Sequence, residues 1–385
     1  MIPATAPGSP VISAWSAVSP WGMGRAAFTA GLTSGRSAVA PLDPDEWDVP
    51  FDGAALVPDF DVRTVLGRKG TRSMDRISGM AVSAVGRLLT DDSGERLGGV
   101  GERTGLALGT SMGSAQSMMD FTRDSLTSAR PYLVDPARFP NTVMNCAAGQ
   151  SAIWHRLRGP NATLAGGRAT GLLSLRFALR LCGAGRAPAM LCGAVEEFSR
   201  ARAWLEWHAR RATAGTEEAA SGGAPGDRVL GEGAAMWLLE RPEDAAAHGR
   251  RTLATPLGLE FGFARDGGEV RPALAACVRR LLDGTGVDAG SVTAVAGSQP
   301  RGSGEGEAER AALQEVFEVR RPPDIGCPEA FGDTCAASAA FQITSVLALA
   351  GASTLDGPVL VTSAEPDGVV GAALLHLPGD GTAAD

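Results

Sequence analysis

Lysine is almost missing from this chain of 385 residues: Lys69 stands among 35 lysines and arginines, and there is one tyrosine. The arginine bias, with abundant alanine and glycine, reads as genomic composition rather than mechanism. Positive charge is also short overall, because 35 basic residues face 43 acidic ones for a net charge of -8. That balance excludes the basic footprint of a nucleic-acid binder and would repel an anionic membrane. No apolar run reaches the ~18 residues a membrane helix needs, and the N-terminus lacks the basic segment and apolar core of a signal peptide. A cytoplasmic location is expected, which empties the match of Asn161-Ala162-Thr163 to a glycosylation sequon. The six cysteines form neither CxxC pairs nor clusters with the four histidines, so they read as buried thiols. No metal or nucleotide motif appears, and no cofactor is expected. What is present is apolar: 44% of residues, against 20% charged, which excludes a disordered chain.

The chain is organised around Asn161 to Leu181, NATLAGGRATGLLSLRFALRL. A short apolar strand runs through a glycine-rich turn into a helix whose Leu172, Leu175 and Leu179 recur at helical spacing. Such a junction leaves backbone N–H groups unpaired at the helix start and aims a positive dipole end at the turn. Enzymes place cysteine there because the dipole favours thiolate. This chain places Arg168, which stays protonated and offers only donors, so it serves neither as nucleophile nor as base.

Several segments carry a family resemblance. LRGPNATLAGGRATG, the opening strand, turn and helix of residues 11–40 with Ser-Pro-Trp-Gly at its turn, NTVMNCAAGQSAIWHRLRGP, AMLCGAV followed by Glu196 and Glu197, and GEGAAMWLLE together resemble the β-ketoacyl synthases. The resemblance spans roughly residues 10–378. It implies a thiolase-like α/β fold, two related βαβαβ halves forming a layered α-β-α-β-α sandwich, with residues 1–245 and 246–385 as the halves. Alternating strand and helix patterns in the second half agree with a layered α/β architecture.

Aligned on the family motifs, Arg168 falls on the nucleophilic cysteine. Anchoring on Glu309 places Ser298 at the first catalytic histidine; anchoring on Gly332 places Asp333 at the second and Pro328 at the lysine. The closing turn SAEPDGVVG lacks the family's asparagine and phenylalanine. Loss of all these groups removes the thiolate and the donors that condensation requires. The pattern resembles the chain-length factors of bacterial type II polyketide synthases, although glutamine is usual where Arg168 stands. That resemblance implies a non-catalytic subunit that pairs with an active ketosynthase, meets an acyl carrier protein through the complex, and shapes the tunnel for the polyketide chain. It places Ala115, Met118 and Thr122, on one face of a helix, at the tunnel's gating positions. A buried unpaired cation opposing a helix dipole needs an anionic partner. An Arg168–Asp333 ion pair is therefore expected, with Glu196 or Glu197 as the next candidates.

Two other readings remain open. GTSMG at 109–113 matches the GxSxG nucleophile elbow, and a hydrolase triad could be completed by Ser111, Asp333 or Asp356, and His376. Against it, His376 lies in the alternating run VVGAALLHL, a strand rather than a loop. The chain could also be a ketosynthase-like scaffold with no effect on chain length. In the rest of the sequence, Asp43 to Asp59 reads as a surface loop, and 200–228 as a helix followed by a loop.

Overall fold

Strands covered on both faces read as continuous buried runs, and Val11–Ser19, Ala189–Glu196 and Gly233–Glu240 are buried at every position. They form the centre of a computed structural model that describes residues 8–91, 93–213, 229–298, 304–318, 320–326, 328–352, 354–365 and 368–379. The first part of the chain contributes β1 (Val11–Ser19), β2 (Gly22–Met23), α1 (Arg25–Ser34), β3 (Ala40–Pro41), β4 (Gly53–Ala55), α2 (Val62–Leu66) and α3 (Arg76–Leu88). Next come β5 (Gly105–Gly109), α4 (Ala115–Thr127), α5 (Cys146–His155), β6 (Asn161–Leu164), α6 (Thr170–Gly183), β7 (Ala189–Glu196) and α7 (Arg200–Thr213). After β8 (Leu230–Gly231), β9 (Gly233–Glu240) and α8 (Pro242–Ala247), the remainder supplies β10 (Thr255–Ala264), α9 (Gly267–Thr285), β11 (Ala294–Ala296) and α10 (Gly304–Val316). The last elements are α11 (Pro328–Phe331), α12 (Ser338–Gly351), β12 (Gly357–Ser363) and β13 (Gly368–Leu377). The loop expected within 200–228 lies, from 214 on, outside the described residues.

Two sheets dominate, in the orders β2-β1-β9-β7-β5-β6 and β10-β13-β12-β11. Strand periodicity sorts their side chains into separate cores. Cys192, Trp237 and Val359 point into the space between the sheets, where they meet Leu172 and Leu175 of α6 and Phe341 and Val346 of α12. Their neighbours Leu191 and Leu238 face outward onto Ile77, Met80 and Val85 of α3, and Leu360 faces Leu274 and Val278 of α9. Helix, sheet, helix, sheet and helix thus succeed one another as five layers. Helix α12 is apolar nearly all round, as a helix enclosed on every side must be. Its approach to α6 depends on Gly171, where an added Cβ would lie 2.6 Å from the backbone nitrogen of Ala340. No described helix is long and apolar enough to cross a membrane.

The segment Asp43 to Asp59 is not simply a surface loop. Its acidic residues, Pro44 and Pro58 are exposed, but Phe51, Ala54, Ala55 and Val57 are buried. Strand β4 pairs antiparallel with β3 and parallel with β8, and the Glu232 carboxylate accepts the Val57 N–H at 2.8 Å. The distant partner strand, with its anchoring carboxylate, decides the conformation that local composition concealed.

Candidate functional site

The turn before α6 is built to hold one side chain. Gly167 takes φ +53, and a Cβ there would come within 2.3 Å of Glu365 Oε1. Thr170 Oγ1 donates to the Gly167 carbonyl at 2.7 Å and accepts the Gly166 N–H at 2.9 Å. Arg168 sits in the resulting 3₁₀ turn, 8% exposed.

Its guanidinium joins two carboxylates. Nη2 donates to Asp333 Oδ2 at 2.5 Å and Nη1 to Glu365 Oε2 at 3.0 Å, while its backbone N–H donates to Glu365 Oε1 at 2.5 Å. Arg210 Nη2 approaches the same Asp333 oxygen at 3.9 Å. On the other side, Asp333 Oδ1 accepts the Cys335 N–H at 2.9 Å, and its carbonyl accepts Arg202 Nη2 at 3.0 Å. Burial alone would raise the Asp333 pKa, but the Arg168 guanidinium outweighs it and holds the carboxyl well below the usual carboxylate range. Arg168, Asp333 and Glu365 thus form a buried ion-paired cluster.

Ser298 joins this cluster indirectly. Its Oγ donates to Glu309 Oε1 at 3.2 Å and accepts the Ala364 N–H at 3.0 Å, one residue before Glu365. Thr362 also donates to Glu309, at 2.7 Å. Arg168, Asp333 and Ser298 therefore converge around the C-terminal end of β12. Pro328 opens the single helical turn of α11.

Glu365 is the participant that sequence reasoning missed. Its only signal was an acidic residue in the turn closing a buried strand, within SAEPDG. Glu196 and Glu197, the alternative partners for Arg168, turn elsewhere: Glu196 Oε2 accepts the Ser111 N–H at 3.3 Å, and Glu197 Oε1 accepts Ser114 Oγ at 2.9 Å.

The hydrolase triad is not assembled. His376 is exposed and stands on β13 opposite Pro358, whereas Gly371 stands opposite Ser363 at the end of β12 nearest Arg168. At a rise of about 3.3 Å per residue, His376 lies roughly 16 Å along the sheet from that end. Asp356 precedes β12 at the same remote end, with its carbonyl accepting Thr293 Oγ1. Asp333 is committed to Arg168, and the carboxylate beside Ser111 belongs to Glu196. The elbow sequence makes a tight turn into α4, capped by Ser114, without a base.

Along α4, Ala115 is buried, Met118 is 37% exposed and Thr122 is exposed. Met119, Leu126, Phe139 and Ile153 leave apolar surface open nearby, and β6 ends its sheet.

Comparison with known proteins decides the family. The model of the β-ketoacyl synthase N-terminal domain matches residues 10–245. The chain belongs to the β-ketoacyl synthase family. This synthase-family chain is 40% identical to the ishigamide ketosynthase/chain length factor, over 97% of this chain and all of that one, with a TM-score of 0.84. A β-ketoacyl synthase from Burkholderia phymatum shares the fold at 22% identity and a TM-score of 0.80. Among curated relatives, 3-oxoacyl-[acyl-carrier-protein] synthase 2 of Vibrio harveyi is 28% identical over 66% of this chain, and that of Coxiella burnetii 30% identical over the same share. The match spans 63% of the length of each of these two relatives. The five-layer architecture is thus the thiolase-like fold of ketosynthases.

Proposed function

We propose that this chain is a non-catalytic chain-length factor: it pairs with an active ketosynthase and shapes the tunnel in which a carrier-protein-bound polyketide grows by malonyl condensation. The observation that carries the reading is Arg168, at the helix start where the family resemblance expects a thiolate, locked between Asp333 and Glu365. A guanidinium can neither attack a thioester nor take up a proton there. Ser298 and Asp333, at the positions of the two histidines, are engaged by Glu309 and Arg168 and offer no imidazole to a developing oxyanion.

The ishigamide neighbour, a ketosynthase/chain length factor, supports pairing as the mode of action. So do the exposed apolar side chains Met118, Met119 and Leu126 of α4, Phe139 in the 136–142 turn packed on α4, and Ile153 of α5, the helix packed on the edge strand β6. A partner covering this face would remove an apolar patch and an unpaired strand edge from water together. It would also place Met118 and Thr122, with Ala115 beneath them, along the seam between subunits.

Co-expression with a ketosynthase encoded beside this chain tests the proposal. A stable one-to-one complex is expected, together with no acyl transfer from a radiolabelled thioester to this chain alone. A chain that purifies by itself and acquires the label would overturn it.

A further inference from the structure

A concave site lies away from Arg168. A cavity of about 340 Å³ opens where the starts of α3, α4 and α7 meet the 46–47 loop; Asp75, Arg76, Ser114, Ser117, Glu197 and Trp47 are among its lining residues. Its size is within the range of small-molecule sites.

The hydrogen-bond inventory of the walls is one-sided. Arg76 gives Nε and Nη2 to the Glu232 carboxylate and Nη1 to the Phe60 carbonyl. Gln116 donates to Asp120 and accepts the Ala201 N–H. Ser114 donates to Glu197 and Ser117 donates to Asp75. Arg200 reaches the Glu46 carbonyl at 2.5 Å. Arg76, Ser114 and Ser117 thus have their donors committed, while acceptors remain on the two carboxyls. Glu197, only 2% exposed, uses Oε1 for Ser114, and its Oε2 accepts no hydrogen bond from the described residues. Each oxygen of Asp75 accepts one bond, from the Ser78 N–H and Ser117 Oγ, and keeps capacity for another. A group seated against these two carboxyls must donate.

The apolar side of the cavity narrows the choice. Trp47 and Phe198 meet edge-on with ring centroids 5.0 Å apart and form a wall able to take a hydrocarbon chain or the face of a cation. A bare metal ion would leave most of the volume empty, and no group of three or more His, Cys, Asp or Glu side chains among the described residues could hold one. We infer that the cavity binds an organic primary ammonium, with its –NH₃⁺ on Glu197 and Asp75 and its alkyl part against Trp47 and Phe198. This inference does not depend on the chain-length reading.

Binding is coupled to a proton. Burial pushes the Glu197 pKa up to about 8, and Asp75, Glu196 and Glu232 push in the same direction. Arg76 is turned to Glu232, Arg200 to Glu46, and the Arg202 guanidinium to the Glu197 and Gly231 carbonyls, so none of the three hydrogen-bonds to the Glu197 carboxyl. Below that pKa the site holds a protonated Glu197. An arriving ammonium ion pairs with the carboxylate, and the carboxyl proton leaves to solvent.

Titration calorimetry of the full chain with n-butylammonium chloride, against KCl at equal ionic strength, tests this. One-to-one binding is expected, tightening by on the order of tenfold from pH 6.5 to 8.5. Proton release should appear as a dependence of the heat on buffer ionisation enthalpy. Glu197→Gln should abolish binding. Trp47→Leu should weaken it several-fold while keeping the pH dependence, which decides the matter if the Glu197 variant does not fold. Absence of heat at pH 8.5, an equal response to KCl, or binding unaltered by both substitutions overturns the inference.

Discussion

Arg168 Nη2 donates to Asp333 Oδ2 at 2.5 Å across 165 residues of sequence, and the two side chains are 10% and 9% exposed. With Glu365 on the other nitrogen, the pair ties the start of α6 to the segment before α12 and to the turn after β12. Breaking a buried pair from one side leaves uncompensated charge, at a cost of about 3–5 kcal/mol. Arg168→Met strands two carboxylates and is expected to lose stability in that range by urea denaturation. A loss below about 1 kcal/mol would contradict a buried, engaged pair.

Acid should dissolve the same contact. The Asp333 pKa is depressed in the folded state, so its contribution is present above the unfolded carboxylate value near 4 and is lost as pH falls through the folded one. Stability measured from pH 5 down to pH 2 should fall, and Asp333→Asn should fall less steeply over that window. Identical slopes would assign acid sensitivity to other carboxylates.

Glu197 has the opposite sign. Its folded pKa, raised to about 8 by burial, favours the protonated form, so stability is highest below the unfolded value and declines as pH rises toward 8. Glu197→Gln, which keeps a neutral side chain beside Ser114, should flatten that decline between about pH 4.5 and 8. A variant whose stability falls with pH as the parent's does would place the titration elsewhere.

A thiol at position 168 alone should not confer condensation chemistry. In Arg168→Cys the sulfur meets Asp333 and Glu365, whose charges oppose thiolate formation. Iodoacetamide labelling near neutral pH is expected to remain slow, and acyl loading absent. Rapid labelling would show that the helix start still activates a nucleophile.

The tunnel reading is best tested at exposed positions. Ala115 is already buried within this chain, so Ala115→Phe would overpack it by about 1–3 kcal/mol and confuse folding with product control. Met118→Trp and Thr122→Phe add bulk at exposed positions and should shorten the products of the ketosynthase pair, read by mass spectrometry. Unchanged products from an intact complex would favour a scaffold without a chain-length role.

The sequence made the central strands and their helices legible because covered strands and amphipathic helices carry their burial in their own residues, as GAAMWLLE and RISGMAVSAVGRL do. The turn that carries Arg168 was readable for the same reason: a glycine-rich turn before a periodic helix marks its own geometry. Strand β4 was hidden because one of its two partner strands, β8, lies far along the chain beside Glu232, whose carboxylate accepts the Val57 N–H 175 residues away. Glu365 was hidden because a turn has no periodicity, and its role arises only when β12 delivers it to Arg168. The serine elbow matched without a triad because its motif specifies a turn, while the histidine it needs is fixed by the register of β13, as the alternating run VVGAALLHL had indicated.

The most direct test of the account is malonyl condensation by this chain with a ketosynthase encoded beside it, compared with each protein alone and with the partner's nucleophilic cysteine changed to alanine. The account predicts turnover by the pair, none by this chain alone, and none when the partner's cysteine is lost. Condensation by this chain alone, or by the pair without that cysteine, would contradict it.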